Sequence, residues 1–409
     1  MLRQEQIAVV INGQKESFLK KDAEVTREAL QDVPIINNYA TMITGIRRCG
    51  KSTLLLQILR TEYKDALYFN FEDIRLVGFE ASDFIRLQQE IDKRNLRVLF
   101  LDEIQLVEKW EIFVHQLLRE GYTVFVTGSN ASLLSKELGT HLTGRHVSME
   151  LFPFSYREYL TFNGTHPGDD SLNSYLETGG FPEFVKSGEP VILNTLMDDI
   201  LVRDIAIRHA VRDVESLKQL AVYLISNTGN LVSANKLAGL FGIKSSATLL
   251  EFFSYFKDAY LLEFMPQFSY SQKAQARNPK KVYAIDTGLI SAVSTSFTHD
   301  TGRKLENLIY LHLRRHFKEL YYFKEKGECD FVAFNKGKAV LAVQVCHEIG
   351  DFNFEREYNG LLDAMKFFKL GSGVIITSDQ QDRFEKDGYT IELVPAYRYL
   401  SGARNLPQA

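Results

Sequence analysis

The sequence predicts an α/β protein whose first domain is a parallel sheet covered by helices on both faces. Three observations carry this. The apolar runs ATMIT (40–44), ALYFNF (66–71), RVLFLDE (97–103) and YTVFVTG (122–128) alternate with segments of helical character, as strands joined by crossover helices do. RVLFL and TVFV are apolar without a break, which suits central strands buried on both sides. A glycine-punctuated loop, Gly45 to Ser52, stands between the first run and the helical stretch STLLLQIL, the context in which a loop can cradle phosphate.

The chain has 409 residues, more than one hydrophobic core usually organises, so two or three domains are expected. Apolar residues make up 45% and charged residues 24%, with 26 Gly against 9 Pro, a composition that excludes wholesale disorder and fibrous repeats. Lys plus Arg (48) nearly balance Asp plus Glu (52), giving a formal charge of -4, so attraction to a polyanion must come from local clustering. The 3 cysteines, Cys49, Cys329 and Cys346, fit no metal or disulfide spacing and suit a reducing compartment. The N-terminal stretch has no long apolar region and no run approaches the length of a membrane span, so a cytoplasmic protein without membrane insertion is expected.

In order along the chain, residues 1–38 form a lead-in with a helix expected around Lys21 to Gln31, and 39–162 form the α/β core. NGTHPGDD opens a linker and helical lid over 163–212, with a helical run from Leu193 to His209. Over 213–292 come ESLKQLAVYLISNTG, SANKLAGLFGI and SATLLEFFSYFKDAYLL, then a polar segment and the strand KVYAID. Helix, turn, helix and hairpin in that order predict a winged helix-turn-helix. Residues 300–409 return to mixed α/β, with the helix ENLIYLHLRRHF and the strands CDFVAF, AVLAVQV and GVIIT.

The loop reads Gly45-Ile46-Arg47-Arg48-Cys49-Gly50-Lys51-Ser52, followed by Thr53, and matches GxxxxGK[ST]. Glycines let backbone N–H groups turn inward on phosphate oxygens, and the helix start presents uncancelled donors. Lys51 is placed to neutralise β and γ phosphates, and Ser52 to ligate Mg²⁺. Asp102 and Glu103 end the apolar run VLFL, at the strand edge where open α/β sheets bind ligands. Asp102 would hold Mg²⁺ and Glu103 would polarise the attacking water. Asn130, after the strand YTVFVTG, can sense the γ-phosphate, although TGSN is also good turn chemistry. Arg145 can serve a neighbouring subunit's nucleotide or stand as a surface arginine.

ITGIRRCGKSTLL, YFNFED, LFLDEIQ, VTGSN, LTGRHVSMELFPFSYREYL and GGFPE make the chain resemble the AAA family ATPases that carry a C-terminal DUF4143 region. The resemblance implies an ASCE P-loop sheet of order 5-1-4-3-2, a winged helix, and a C-terminal domain similar to the PD-(D/E)XK, restriction-endonuclease-like fold. ATP and Mg²⁺ are the cofactors expected from the loop and the two acids, and a homo-oligomer such as a hexameric ring stands beside a monomer as an open alternative.

Between Phe264 and Ile285 there is no carboxylate, while Lys273, Arg277, Lys280 and Lys281 fall there. With Lys244 ahead of the preceding helix they are the candidate DNA contacts; a solvated hairpin or a subunit contact is the alternative. In the C-terminal domain the nuclease pattern falls on Glu306, Asp330, Gln344 and Cys346. A neutral amide and a thiol stand where that chemistry uses a carboxylate and a lysine, so the fold is expected without cleavage. The function expected is Mg-dependent ATP hydrolysis coupled to DNA binding or remodelling. The alternatives are a nucleotide-dependent assembly switch acting on proteins and an ATP-gated nuclease.

Overall fold

The apolar runs do become a sheet. Its strands are β1 (Ala40–Thr44), β2 (Leu67–Asn70), β3 (Val98–Asp102), β4 (Thr123–Gly128) and β5 (His146–Glu150). They lie in the spatial order β2-β3-β4-β1-β5, every neighbouring pair parallel. Read from the other edge, this is the 5-1-4-3-2 order that the resemblance implied. Leu99, Phe100 and Leu101 of β3 and Val124, Phe125 and Val126 of β4 are all buried, as unbroken apolar strands require. The crossovers are α2 (Lys51–Glu62), α3 (Phe84–Arg94) and α4 (Trp110–Arg119). Because β4 sits between β3 and β1, the chain reverses direction across the sheet there, and the C-terminal ends of those strands open a crevice.

The computed structural model describes residues 1–21, 25–63, 65–130, 144–294 and 301–402. The chain forms two compact units, Met1–Phe152 with Asp258–Tyr260, and Pro153–Lys257 with Leu261–Ala409.

The lead-in differs from expectation. Among the described residues of the expected Lys21 to Gln31 helix none is α-helical; the helix is α1 (Gln4–Lys20), and Glu28–Asp32 is a short 3-10 turn. Ile7, Val10, Ile11, Gln14 and Phe18 make a buried stripe at helical spacing on α1, and Phe18 stacks on Tyr68 of β2 with ring centroids 3.9 Å apart. Burial of that stripe, rather than propensity, decides where the helix forms.

In the second unit the helices α5 (Tyr156–Asn163), α6 (Asp169–Thr178), α7 (Pro182–Ser187) and α8 (Val191–Asp199) are followed by a π-helical stretch, Ile200–Ile207. Next come α9 (Val214–Ser226), β6 (Leu231–Val232), α10 (Ala234–Leu237), α11 (Ser246–Asp258), β7 (Leu262–Met265), α12 (Gln272–Arg277) and β8 (Lys280–Ala284). These strands form a three-stranded antiparallel sheet, β6-β8-β7.

After α13 (Thr287–Val293) and α14 (Thr301–His316) come β9 (Glu319–Lys324), β10 (Glu328–Asn335), β11 (Lys338–Val345), α15 (Phe354–Phe368), β12 (Ser372–Thr377), β13 (Asp382–Lys386) and β14 (Tyr389–Pro395). Their six-stranded sheet runs β13-β14-β12-β11-β10-β9, antiparallel through β9, β10 and β11 and parallel from β11 to β12 to β14. Among the described residues no helix is long and apolar enough to cross a membrane.

Candidate active site

The loop between β1 and α2 takes the backbone its glycines allow. Gly45 has φ +143 and Gly50 φ +100, and a Cβ on Gly45 would lie 2.1 Å from the Leu151 carbonyl oxygen. No side chain fits there. Arg48 also has positive φ (+62) and an exposed side chain, Arg47 pairs with Glu72 at 3.1 Å, Ile46 and Cys49 are buried, and Thr53 is half-buried on the first turn of α2.

Lys51 opens α2 with its ammonium inside the loop, donating to the carbonyls of Gly45 (3.1 Å) and Ile46 (3.2 Å). It lies 3.6 Å from Glu103 Oε1. Burial alone would lower the Lys51 pKa, but the Glu103 carboxylate, with Cys49 and Asp102 behind it, outweighs that and holds it above its ordinary value. Burial likewise pushes Glu103 up, and Lys51 with the Gln105 amide brings it below the usual carboxylate range. The pair is charged, and it keeps a buried cation at the loop.

Asp102, at the end of β3, accepts three hydroxyl groups: Ser52 Oγ at 2.7 Å and Tyr68 Oη at 2.5 Å on Oδ2, and Thr127 Oγ1 on Oδ1. Three hydroxyl donors thus fill the acceptor sites of this one carboxyl group. Thr127 Oγ1 also accepts from the Glu103 backbone N–H at 3.0 Å, so one threonine on β4 spaces both acids. Glu103 adopts the left-handed conformation (φ +52), which turns it from the strand line, and its Oε2 accepts from Gln105 Nε2. Asn130 is buried just past β4, in a small cleft with Thr44, Gln105, Trp110 and Thr127.

The structure thus gathers Lys51, Ser52, Asp102, Glu103 and Asn130 at one edge of the sheet. Arg145 is exposed just before β5.

Sequence reasoning missed Tyr68, Gln105 and Thr127. The signal was there for Thr127, near the end of β4, and for Gln105, just after the two acids; Tyr68, inside β2, gave none. It also missed Arg27. This guanidinium is only 2% exposed and donates to the carbonyls of Cys49 (2.7 Å) and Phe152 (2.7 Å). Its own backbone N–H goes to Gln57 on α2 (3.0 Å).

In the second unit, Lys273, Arg277 and Lys244 are exposed and Lys280 is half-buried. Lys281 is not on that surface. It is 4% exposed, with Nζ 3.1 Å from Glu306 Oε1, 3.2 Å from Glu328 Oε1 and 2.7 Å from Asp330 Oδ1. Alternation along β8 explains this correction: Lys280 and Lys281 face opposite sides of the sheet, and only one can face solvent. Gln344 accepts from the Asp330 backbone N–H (3.1 Å) and donates to Glu357 Oε2 (2.6 Å). Cys346 Sγ donates to the Glu348 carbonyl at 2.9 Å and accepts from Asn353 Nδ2 at 3.2 Å. Among the described residues no group of three or more His, Cys, Asp or Glu side chains is placed to hold a metal.

Residues 37–160 match the family model described as AAA domain, and residues 169–300 match one described as Domain of unknown function (DUF8612). The second match corrects the DUF4143 expectation. The chain is 34% identical to uncharacterized protein MJ1544 of Methanocaldococcus jannaschii, over 93% of this chain and 92% of that one. It is 30% identical to an uncharacterized protein of Haemophilus influenzae, over 87% of this chain and 92% of that one. Among solved structures, that of C. elegans PCH-2 aligns over 42% of this chain and 46% of its own, with 14% identity and a TM-score of 0.23, too low a likeness to carry an argument. With a phosphate loop and paired acids at the mouth of a β2-β3-β4-β1-β5 sheet, this chain belongs to the family of AAA-domain proteins that includes MJ1544.

Proposed function

We propose that the chain hydrolyses ATP with Mg²⁺. The observation that carries this is the placing of Lys51 inside the loop, 3.6 Å from Glu103, with Ser52 donating to Asp102 at 2.7 Å beside it. The donor set suits Mg²⁺: a hydroxyl and a carboxyl group, both hard oxygen ligands. Ser52 and Asp102 would hold the ion, which supplies charge neutralisation along the triphosphate. Lys51 would exchange Glu103 for phosphate oxygens. Glu103, relieved of that partner and still oriented by Gln105 and Thr127, would accept the proton of the attacking water. Asn130 would orient that water or the γ-phosphate. The test is phosphate release with ATP and Mg²⁺ from the full chain and its Glu103→Gln variant; no turnover above the variant's would refute the reading.

For the second unit the reading is a winged helix followed by a restriction-endonuclease-like domain without cleavage chemistry. Support comes from the order α9, β6, α10, α11, β7, β8 with its β6-β8-β7 sheet, and from the antiparallel β9-β10-β11 run flanked by α14 and α15. DNA is the partner this reading assigns to Lys244, Lys273, Arg277 and Lys280. Loss of salt-dependent duplex binding in a Lys273→Ala/Arg277→Ala variant would be its signature; unchanged binding would remove it.

A further inference from the structure

Lys281 deserves a role of its own, because a lysine taken out of water is kept charged only by close partners. Its ammonium has three N–H donors, and three carboxylate oxygens stand at 2.7 to 3.2 Å, one each from Asp330, Glu306 and Glu328. All the donors are accounted for, and none is left for a phosphate or a water.

The acids come from separate elements: Glu306 from α14, and Glu328 and Asp330 from β10, while the lysine comes from β8 of the small sheet. Glu306 and Asp330 are held from behind as well. Glu306 Oε1 accepts from Tyr283 Oη at 2.7 Å, and Asp330 Oδ2 accepts from the Val345 backbone N–H at 2.9 Å. Two of the three carboxylates thus keep partners besides the ammonium, and a set of carboxylate oxygens around one point is what a hard divalent cation seeks.

We propose that the Lys281 ammonium is the permanent cation of the Glu306, Glu328 and Asp330 cluster, so that this position excludes a divalent metal and takes one up only when Lys281 is removed. The inference does not depend on nucleotide hydrolysis. It accounts for acids that converge without forming a metal group among the described residues. It also assigns the hairpin lysine to internal charge balance instead of to a polyanion.

The experiment is Mn²⁺ binding followed by electron paramagnetic resonance on the full chain without nucleotide. Wild type is expected to show no Mn²⁺ signal that depends on Asp330. Lys281→Met is expected to gain a stoichiometric bound Mn²⁺, lost again in Lys281→Met/Asp330→Asn. Failure of the single variant to bind Mn²⁺, or Asp330-dependent binding by wild type, overturns the proposal. If Lys281→Met does not fold, Lys281→Met/Glu306→Gln/Asp330→Asn separates the causes. Recovery of a folded chain supports charge balance as the lysine's role; a triple variant as unfolded as the single one overturns it.

Discussion

Ser52 donates its hydroxyl to Asp102 across 2.7 Å, joining the first turn of α2 to the end of β3. Residues far apart in sequence thus meet where the metal of a nucleotide would be held. Ser52→Ala is expected to keep the fold, because Tyr68 and Thr127 still hold Asp102. It should weaken the Mg²⁺ dependence of hydrolysis by roughly tenfold or more, the cost of one lost ligand at about 1.5–3 kcal/mol. A Mg²⁺ titration of ATPase activity measures this.

Lys51 and Glu103 should separate binding from chemistry. Lys51→Ala leaves Glu103 buried without its cation and removes the charge that meets phosphate, so nucleotide affinity should fall to near background by calorimetry. Glu103→Gln keeps the size and the Gln105 contact. It should bind ATP at close to wild-type affinity while turnover drops about 10²–10⁴-fold, the usual worth of a general base.

Arg27→Ala is expected to cost about 1–3 kcal/mol for each carbonyl left without its donor, here those of Cys49 and Phe152. Because Cys49 lies in the loop, nucleotide affinity should fall together with stability. Chemical denaturation and calorimetry on the same samples check both; wild-type values in each would show that the guanidinium merely fills space.

Much of the first unit was legible in the sequence because its signals are local. Unbroken apolar strands, a glycine loop and two acids at a strand end each occupy a few consecutive residues. Arg27 was illegible for the opposite reason: its partners, Cys49 and Phe152, lie 22 and 125 residues away. Lys281 looked like a surface charge because the stretch from Phe264 to Ile285 holds no acid. Its partners arrive from α14 and β10.

The paired glycines of GGFPE explain a pH effect to look for. Gly179 has φ +69, Gly180 donates its N–H to Asp286 Oδ2 at 2.7 Å, and Asp286 also caps α13 through Gly288 and Leu289. Burial pushes the Asp286 carboxyl up to about 7, against the pull of those N–H groups. The folded chain then retains a proton that the unfolded chain releases near pH 4, so stability falls as pH rises from about 4 to about 7. Relative to Asp286→Asn, wild type should lose on the order of a few kcal/mol across that window, measured by urea denaturation at each pH.

Arg145 is exposed and can be tested as an arginine supplied to another copy. If it is, Arg145→Ala should bind ATP normally and turn over about 10³-fold more slowly. Mixing it with Lys51→Ala should restore activity that neither variant has alone. Wild-type turnover by Arg145→Ala would leave it a surface residue.

Adjacent lysines at 280 and 281 also fix how the small sheet is threaded. Leu231 and Met265 sit opposite Lys281 on its two neighbours. Sliding β8 by a single position would turn its faces over, thrusting one amine toward water and driving the other among apolar side chains. Where the slide brings Val282 to the place of Lys281, the three acids face no counter-charge. An ionic contact of modest strength can thereby act as an alignment key, rejecting the mispaired hairpin while the domain is still assembling.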